Sequence, residues 1–189
     1  MQSELQQLAG ADLPDWGLVV RAAAVRRVAR GTSLFPEGAI APDLYWVQRG
    51  FVALEFGAPD GRVRTKGIAQ GPEMLGSIES LREAPSSFRA RALTEVLAAA
   101  IPTALVVQLA RTHLVWSRAL AAKMAALAET REARERELLL SSPEDRWSAL
   151  LQERPELVAA VSQTEVAALI GITPVALSRL KRRLRDRAK

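Results

Sequence analysis

The sequence predicts an α+β protein with three parts in chain order: a β sandwich or barrel, a long helix and a helix-turn-helix. Turn residues recur roughly every 8–12 residues between Val25 and Pro102, as they do in all-β domains. Residues 103–141 are rich in Ala, Leu, Arg and Glu, which are good helix formers. Residues 162–187 have the pattern of two short helices joined by a tight turn. We therefore predict domains at 1–103, 104–141 and 142–189.

The C-terminal stretch carries start and stop signals for two helices. Ser162 is an N-cap candidate, and Glu165 three residues later predicts a capping box. Gly171 is expected to end the first helix, because glycine tolerates a positive φ. Thr173 is expected to cap the second helix, and Pro174 fills its first turn, where a missing N–H costs nothing. These signals predict a helix-turn-helix whose second helix would lie in the major groove of DNA.

Positive charge is concentrated at the same end of the chain. The formal net charge is +5, and residues 142–189 hold 9 basic against 6 acidic side chains. Such density suits the neutralisation of phosphates, although a helix hairpin with a solvated basic face is the alternative. The predicted base-reading residues share the exposed face of the second helix: Val175, Ser178 and Arg179. The predicted phosphate-binding residues are polar or basic and lie around it: Gln163, Thr173, Lys181, Arg182 and Arg183.

Composition excludes several classes of protein. The chain is 49% apolar, which is ample for a core, and it contains no cysteine, which excludes disulfides, cysteine-ligated iron–sulfur clusters and thiolate zinc sites. His113 is the single histidine and there is no Gly-rich phosphate loop, so we predict no enzyme, no metal and no cofactor. The longest apolar run, residues 96–107, is too short to span a membrane, and the N-terminus lacks the pattern of a signal peptide. We expect a cytoplasmic protein without a membrane partner.

Turn signals give the expected elements of the β region. Residues 3–9 predict a short helix and residues 12–16 a turn. Residues 48–50 predict a tight reversal between two apolar strands, and Asp60-Gly61 predicts a hairpin.

Two further patterns concern the faces and the end of the β region. Arg62, Arg64 and Lys66 alternate with smaller residues, which predicts a solvated strand face. Residues 90–101 predict a last pair of apolar strands.

The long helix carries a partial heptad pattern. Its apolar positions are Leu120, Met124, Leu127 and Leu138. Arg131 and Arg134 interrupt the seam, so packing on the β domain is an alternative to self-association. Residues 142–145 are expected to cap the next helix, whose apolar side would pack against the helix-turn-helix.

Residues 31–38, Gly-Thr-Ser-Leu-Phe-Pro-Glu-Gly, and 43–54, Asp-Leu-Tyr-Trp-Val-Gln-Arg-Gly-Phe-Val-Ala-Leu, resemble the β-roll of cyclic-nucleotide-binding regulators. Together with Asp60-Gly61, the long helix and the helix-turn-helix, the chain resembles the Crp/Fnr family of bacterial transcription regulators. The resemblance implies an N-terminal double-stranded β-roll and a homodimer held by the long helix. Double-stranded DNA is the implied partner, and RNA polymerase is a further candidate. No motif identifies an effector.

The sequence departs from the nucleotide-binding members of that family. Where they have Gly-Glu, this chain has Gly76-Ser77, and where they have Arg-Ser or Arg-Thr, it has Ser86-Ser87. A buried phosphate without a bidentate cation is costly, and the remaining candidates to supply one are Arg82 and Arg89. We therefore predict a degenerate effector cassette and no response to cyclic AMP.

The DNA-binding half departs from the family as well. We expect no β-hairpin wing after the second helix. Pro174 and Val175 stand where members of the family commonly read bases with an arginine and an acidic residue, so the target site should differ. The rival to a DNA-binding regulator is a ligand-sensing or protein-interaction module with a degenerate helix-turn-helix.

Overall fold

The computed structural model describes residues 1–187, so the last two residues of the predicted 142–189 domain, Lys189 among them, lie outside the described residues. Two short helices come first, α1 (Gln2–Ala9) and α2 (Trp16–Ala22). The first confirms the helix predicted at 3–9, whereas α2 begins at the end of the predicted turn. Eight strands follow: β1 (Ala24–Val28), β2 (Ser33–Phe35), β3 (Asp43–Arg49), β4 (Phe51–Gly57), β5 (Val63–Gln70), β6 (Glu73–Leu75), β7 (Arg89–Ala92) and β8 (Val96–Pro102).

The strands form two four-stranded antiparallel sheets, with orders β1-β8-β3-β6 and β2-β7-β4-β5. Their facing sides enclose one apolar core, in which Phe35 packs against Tyr45 and, edge to face, against Phe88. Alternation along each strand supplies this core, because every second side chain points inward. The predicted α+β class with an N-terminal β-roll is confirmed.

Two of the predicted strand connections differ in the structure. The reversal at residues 48–50 does not close a hairpin, because β3 and β4 lie in different sheets and the chain crosses between the sheets at Gly50. Gly50 has φ 101°, and a Cβ there would lie 2.5 Å from the carbonyl oxygen of Glu95. The two strands predicted within residues 90–101 are present as β7 and β8, but they belong to opposite sheets and do not pair with each other. The hairpin at Asp60-Gly61 is confirmed, since β4 pairs with β5.

Arg62 and Arg64 are exposed, as the predicted solvated face requires, whereas Lys66 is half-buried and departs from the prediction. The register between β4 and β5 shifts between Leu54 and Glu55, opposite Lys66, and a bulge of this kind can redirect a side chain. The ammonium group lies 4.2 Å from the ring centroid of Phe88. Burial, followed by the charge of Arg131, lowers the pKa of Lys66.

The helical region begins with two helices where the sequence predicted one. They are α3 (Thr103–Thr112) and α4 (Leu114–Leu140), separated by His113, whose backbone is extended with φ −129°. At its start α4 packs on the N-terminal helices, with Trp116 stacked on Trp16 at 5.9 Å between ring centroids. A single turn of 3-10 helix covers Glu79–Arg82.

Four helices complete the described chain: α5 (Pro143–Glu153), α6 (Pro155–Ala160), α7 (Gln163–Ile170) and α8 (Pro174–Arg187). The predicted cap of α5 is present as a complete capping box, in which Ser142 and Asp145 each bind the other's backbone N–H. None of the helices in residues 1–187 combines the length and the apolar character that a membrane crossing demands.

Candidate nucleic-acid interface

The helices α7 and α8 and the turn between them have the predicted local geometry. The hydroxyl of Ser162 accepts a hydrogen bond from the N–H of Glu165 at 3.3 Å, and that of Thr173 accepts one from Ala176 at 3.2 Å. Gly171 ends α7 with φ 79°. The capping box at Ser162 is only half formed, because the carboxylate of Glu165 binds Arg91 of β7 at 2.8 Å.

An apolar core holds the two helices together. Ala167 and Leu177 are completely buried where α7 and α8 meet, which explains the small residue at position 167. Arg146 of α5 is also buried, and its Nε donates to the carbonyl oxygen of Ile170 at 2.8 Å. This bond satisfies one of the carbonyl groups left free at the C-terminus of α7.

The predicted base-reading residues share one exposed face of α8. Val175 is 61% exposed although it is apolar, and Ser178 and Arg179 are exposed beside it. Within residues 1–187, the side chains of Ser178 and Arg179 make no hydrogen bond or ion pair. Three neighbouring side chains with these properties leave a surface that can meet base edges, because arginine can bind guanine and valine can contact a thymine methyl group.

The predicted phosphate-binding residues differ in their surroundings. Gln163, Thr173 and Arg182 are exposed. The ammonium group of Lys181 lies 5.3 Å from the ring centroid of Trp147, and Arg183 binds the carboxylate of Glu144 at 2.5 Å.

An open groove of about 730 Å³ runs along this basic side of α8. Arg179, Arg182, Arg183 and Arg187 line it together with the start of α5 at Pro143. Arg187 shares the carboxylate of Glu144 with Arg183, at 3.0 Å. The groove therefore has four guanidinium groups and the carboxylate of Asp186 around an apolar floor, and two of the arginines are paired with Glu144. The remaining excess of positive charge suits an anionic polymer.

The predicted effector cassette holds a carboxylate from its own chain. The hydroxyl groups of Ser77 and Ser87 donate to the two carboxylate oxygens of Glu79, at 2.5 and 2.8 Å. The hydrogen bond from Ser77 is the main cause of a lowered pKa of Glu79. Ser86 is buried and donates to the carbonyl oxygen of Phe88, while Gly76 packs against Leu44.

Neither of the two arginines that could replace the missing cation lies with these serines. Ala90 and Ala92 of β7 face the core, so Arg89 points to the outer face of the sheet, where it binds Glu55 at 2.7 Å. Arg82 is exposed at the end of the 3-10 helix. The cassette therefore has hydroxyl groups and a carboxylate, and Lys66 is near enough that its charge contributes to the lowered pKa of Glu79. No guanidinium group of residues 1–187 binds these serines or Glu79.

The predicted dimer residues lie on the side of α4 that turns toward its own domain. Leu120 lines a small apolar cavity of about 30 Å³ with Leu5 and Trp16, and Met124 and Leu127 are half-buried. The exposed side carries small and apolar residues at helical spacing: Leu114, Ala121, Ala125, Ala128 and Leu139. The heptad pattern could not distinguish these two sides, because packing on α1 buries one of them.

The single histidine has a structural partner. His113 Nε2 lies 3.0 Å from the carboxylate of Asp15, which ties the start of α4 to the start of α2. Among residues 1–187, no three His, Asp or Glu side chains come together in the arrangement of a metal site.

Comparisons with known proteins agree with this architecture. Residues 25–113 match the family model of the cyclic nucleotide-binding domain, whereas no curated protein sequence matches the chain. FixK2 from Bradyrhizobium japonicum has a TM-score of 0.77 at 18% identity, over 88% of this chain and 86% of that chain. The regulator CLP of Xanthomonas campestris has a TM-score of 0.71 at 24% identity, over 92% and 93%. The Catabolite Activator Protein of Thermus thermophilus has a TM-score of 0.58 at 25% identity, over 98% and 88%.

The fold and these matches define a class of protein, a cyclic-nucleotide-binding-type β-roll joined by a long helix to further helices. The match to the model of the cyclic nucleotide-binding domain covers residues 25–113, which include the β-roll from the second residue of β1 onward. The chain as a whole has the fold of the regulators with which it aligns, so the resemblance to the Crp/Fnr family found in the sequence is confirmed at the level of the fold.

Proposed function

We propose that this protein is a dimeric, sequence-specific DNA-binding transcription regulator that does not respond to cyclic AMP. The observation that carries the proposal is the exposed face of α8, where Val175, Ser178 and Arg179 stand clear of the rest of the chain beside a groove lined by arginines. A single exposed valine is ordinary on a protein surface, so the support comes from the position of Val175 beside Ser178 and Arg179 on one face of α8.

In the dimer, two copies of α8 would enter successive major grooves about 34 Å apart, so the target is a near-palindromic site. Arg179 reads a base, helped by Val175 and Ser178. Gln163, Thr173 and residues 181–183 hold the backbone and fix the register of the helix on the duplex. A change in the angle of α4 would alter the spacing of the two reading helices, which is how an effector could gate binding.

The absence of a cyclic AMP response rests on the cassette. A cyclic phosphate placed at Ser77 and Ser87 would meet the carboxylate of Glu79 in place of a guanidinium group. The negative charges of the phosphate and of Glu79 would repel each other, and this repulsion costs more free energy where water is excluded. Addition of cyclic AMP should leave the melting temperature of the protein unchanged, because a ligand stabilises only the state that it binds. A concentration-dependent rise would contradict this part of the proposal.

Salt dependence distinguishes DNA binding from the rival protein-interaction function. The affinity for duplex DNA should fall steeply with salt, with a slope of about −0.9 per neutralised phosphate in a double-logarithmic plot. A variant with residues Lys181–Arg183 changed to glutamine should have a flatter slope. The control changes three exposed arginines of the β-roll half, Arg26, Arg27 and Arg30, to glutamine and removes the same charge, and it should keep the slope of the unmodified protein. Weak binding with no salt dependence would favour the protein-interaction module.

A further inference from the structure

The outer face of the second sheet is covered by the helices of the DNA-binding half. Four apolar residues of the β-roll and a larger set from the helices form one continuous buried cluster. Its members on the sheet side are Phe51, Ala53, Ile68 and Leu93, and those on the helix side include Trp147, Leu150, Leu157, Val166 and Leu169. The helix-turn-helix is therefore packed on its own β-roll and does not hang from α4 alone.

The free edge of this sheet is closed by the same helices. β5 is the edge strand, and the guanidinium group of Arg154 donates to the carbonyl oxygen of Ile68 at 2.9 Å. The side-chain amide of Gln70, Nε2, donates to the carboxylate of Glu156 at 3.4 Å. Backbone groups at an unpaired strand edge lack partners, and Arg154 supplies one to Ile68, so this contact favours the packed arrangement.

A buried carboxylate organises the polar part of the contact. Glu55 of β4 is 2% exposed and accepts hydrogen bonds from Arg89 at 2.7 Å and from Arg91 at 2.6 Å. Arg91 uses the same terminal nitrogen to bind Glu165 of α7, at 2.8 Å. One guanidinium group thus connects a buried carboxylate on the outer face of the β-roll sheet to the first helix of the helix-turn-helix.

The carboxylate of Glu165 binds Arg91 and not the backbone at the start of its own helix, α7. Glu165 lies three residues after the N-cap Ser162, the position from which a glutamate normally bonds back to the N-cap backbone. Ser142 and Asp145 complete this exchange in α5, whereas in α7 only Ser162 bonds, to the N–H of Glu165. The carboxylate of Glu165 is directed to the sheet instead.

We propose that Arg91 and Glu165 are a positioning pair that fixes the angle of the recognition helix α8 relative to the β-roll. The spacing of the two half-sites that the dimer accepts is then set by the β-roll sheet through α7. This inference rests on the proposed DNA-binding function. The reading face of α8 remains exposed while the pair is formed, so the contact orients the helix without blocking it.

Three single variants and one double variant test the pair. Glu165→Gln removes the charge on α7, and Arg91→Lys keeps a cation for Glu55 but loses the planar fork that reaches two carboxylates. Glu165→Asp keeps the charge and serves as the conservative variant. Glu153→Gln, which removes an exposed carboxylate from α5, is the matched control.

Hydrogen exchange of the backbone amides of residues 63–70 in β5 and 163–170 in α7, measured without DNA, reports on the packing of α7 against the sheet. It should accelerate by about ten-fold in Glu165→Gln and in Arg91→Lys, the scale of one charge-assisted hydrogen bond. The double variant, Arg91→Lys with Glu165→Gln, should exchange no faster than either of these single variants, because each substitution removes the same Arg91–Glu165 interaction. Glu165→Asp should recover most of the protection, and Glu153→Gln should match the unmodified protein. Unchanged exchange, or additive effects in the double variant, would overturn the inference.

Duplex binding then tests the consequence for specificity. The preference for the best half-site spacing over a site lengthened by one base pair should fall about ten-fold in Glu165→Gln, because the Arg91–Glu165 hydrogen bond is lost. The preference should recover in Glu165→Asp. A preference that stays unchanged while exchange accelerates would also overturn the positioning role. If the unmodified protein binds no duplex at all, the proposed function fails, whereas the docking contact stands or falls on the exchange measurement alone.

Discussion

The side chain of Arg146 on α5 reaches the C-terminus of α7, where its Nε donates to the carbonyl oxygen of Ile170 at 2.8 Å. The same guanidinium group donates to the carbonyl oxygen of Ser141 at the junction between α4 and α5. The side chain is 7% exposed, and its contact with Ile170 is buried, so the carbonyl group of Ile170 depends on it for a partner. One arginine thereby ties the end of the long helix to the turn of the helix-turn-helix.

Replacement of this arginine should destabilise the protein strongly. Arg146→Met keeps most of the apolar stem but removes the donor to the carbonyl groups of Ile170, in a buried contact, and of half-buried Ser141, and we expect a loss of about 1–3 kcal/mol in the free energy of unfolding. Urea denaturation measures it. Arg136→Met, at an exposed position of α4, should change the stability little, and equal losses in the two variants would show that Arg146 has no special role.

Loss of an N-cap should weaken the helix-turn-helix more gently. Ser162→Ala removes the acceptor for the N–H of Glu165 and should cost about 1 kcal/mol. The neighbouring exposed Thr164→Ala is the control, since no hydrogen bond from its side chain occurs within residues 1–187. Thermal unfolding of the two variants side by side gives the comparison, and a control that melts as early as Ser162→Ala would refute the cap.

Arg179 should determine specificity rather than general affinity. Arg179→Ala is expected to cost about 1–3 kcal/mol on the selected site and to relax the preference at one base pair in each half-site. Titration of a panel of single-base variants of the site measures this preference. The exposed Arg111→Ala, on α3, should bind like the unmodified protein. An equal loss on every DNA sequence would assign Arg179 to phosphate contact.

Acid should weaken the contact between the β-roll and the helices through Glu55. Burial alone would raise the pKa of Glu55, but hydrogen bonds from Arg91 and Arg89 outweigh it and bring the pKa below the ordinary value of 4.5. The stabilisation from this carboxylate is therefore complete above pH 4.5 and is lost as the pH falls through the lower folded-state value.

The variant Glu55→Gln tests this dependence. It should be less stable at neutral pH, because Arg89 loses its carboxylate partner and Arg91 keeps only Glu165, and its stability should fall less steeply in acid. Unfolding by urea at a series of pH values provides the curve. The exposed Glu132→Gln should follow the unmodified protein, and a Glu55→Gln curve parallel to it would rule out the linkage.

The sequence predicted those features that depend on local rules. Ser162, Thr173 and Gly171 are cap and turn residues whose preference comes from backbone geometry within a few residues, and all three act as predicted. The hairpin at Asp60-Gly61 is local in the same sense.

Other features depend on partners far away in the chain. The crossing between sheets at Gly50 and the break at His113 are set by which strands and helices pack together, which a single sequence does not encode in a short window. The capping-box prediction failed at Glu165 for this reason, because Arg91, 74 residues earlier in the chain, competes for its carboxylate.

Selection of duplexes from a random pool by the purified protein, followed by sequencing, tests the central claim most directly. We expect enrichment of two inverted half-sites whose centres are about one helical turn apart, with Arg179→Ala losing the preference at a single symmetric position. A pool that shows no enriched motif, or a single unpaired half-site, would contradict a dimer that reads DNA through α8.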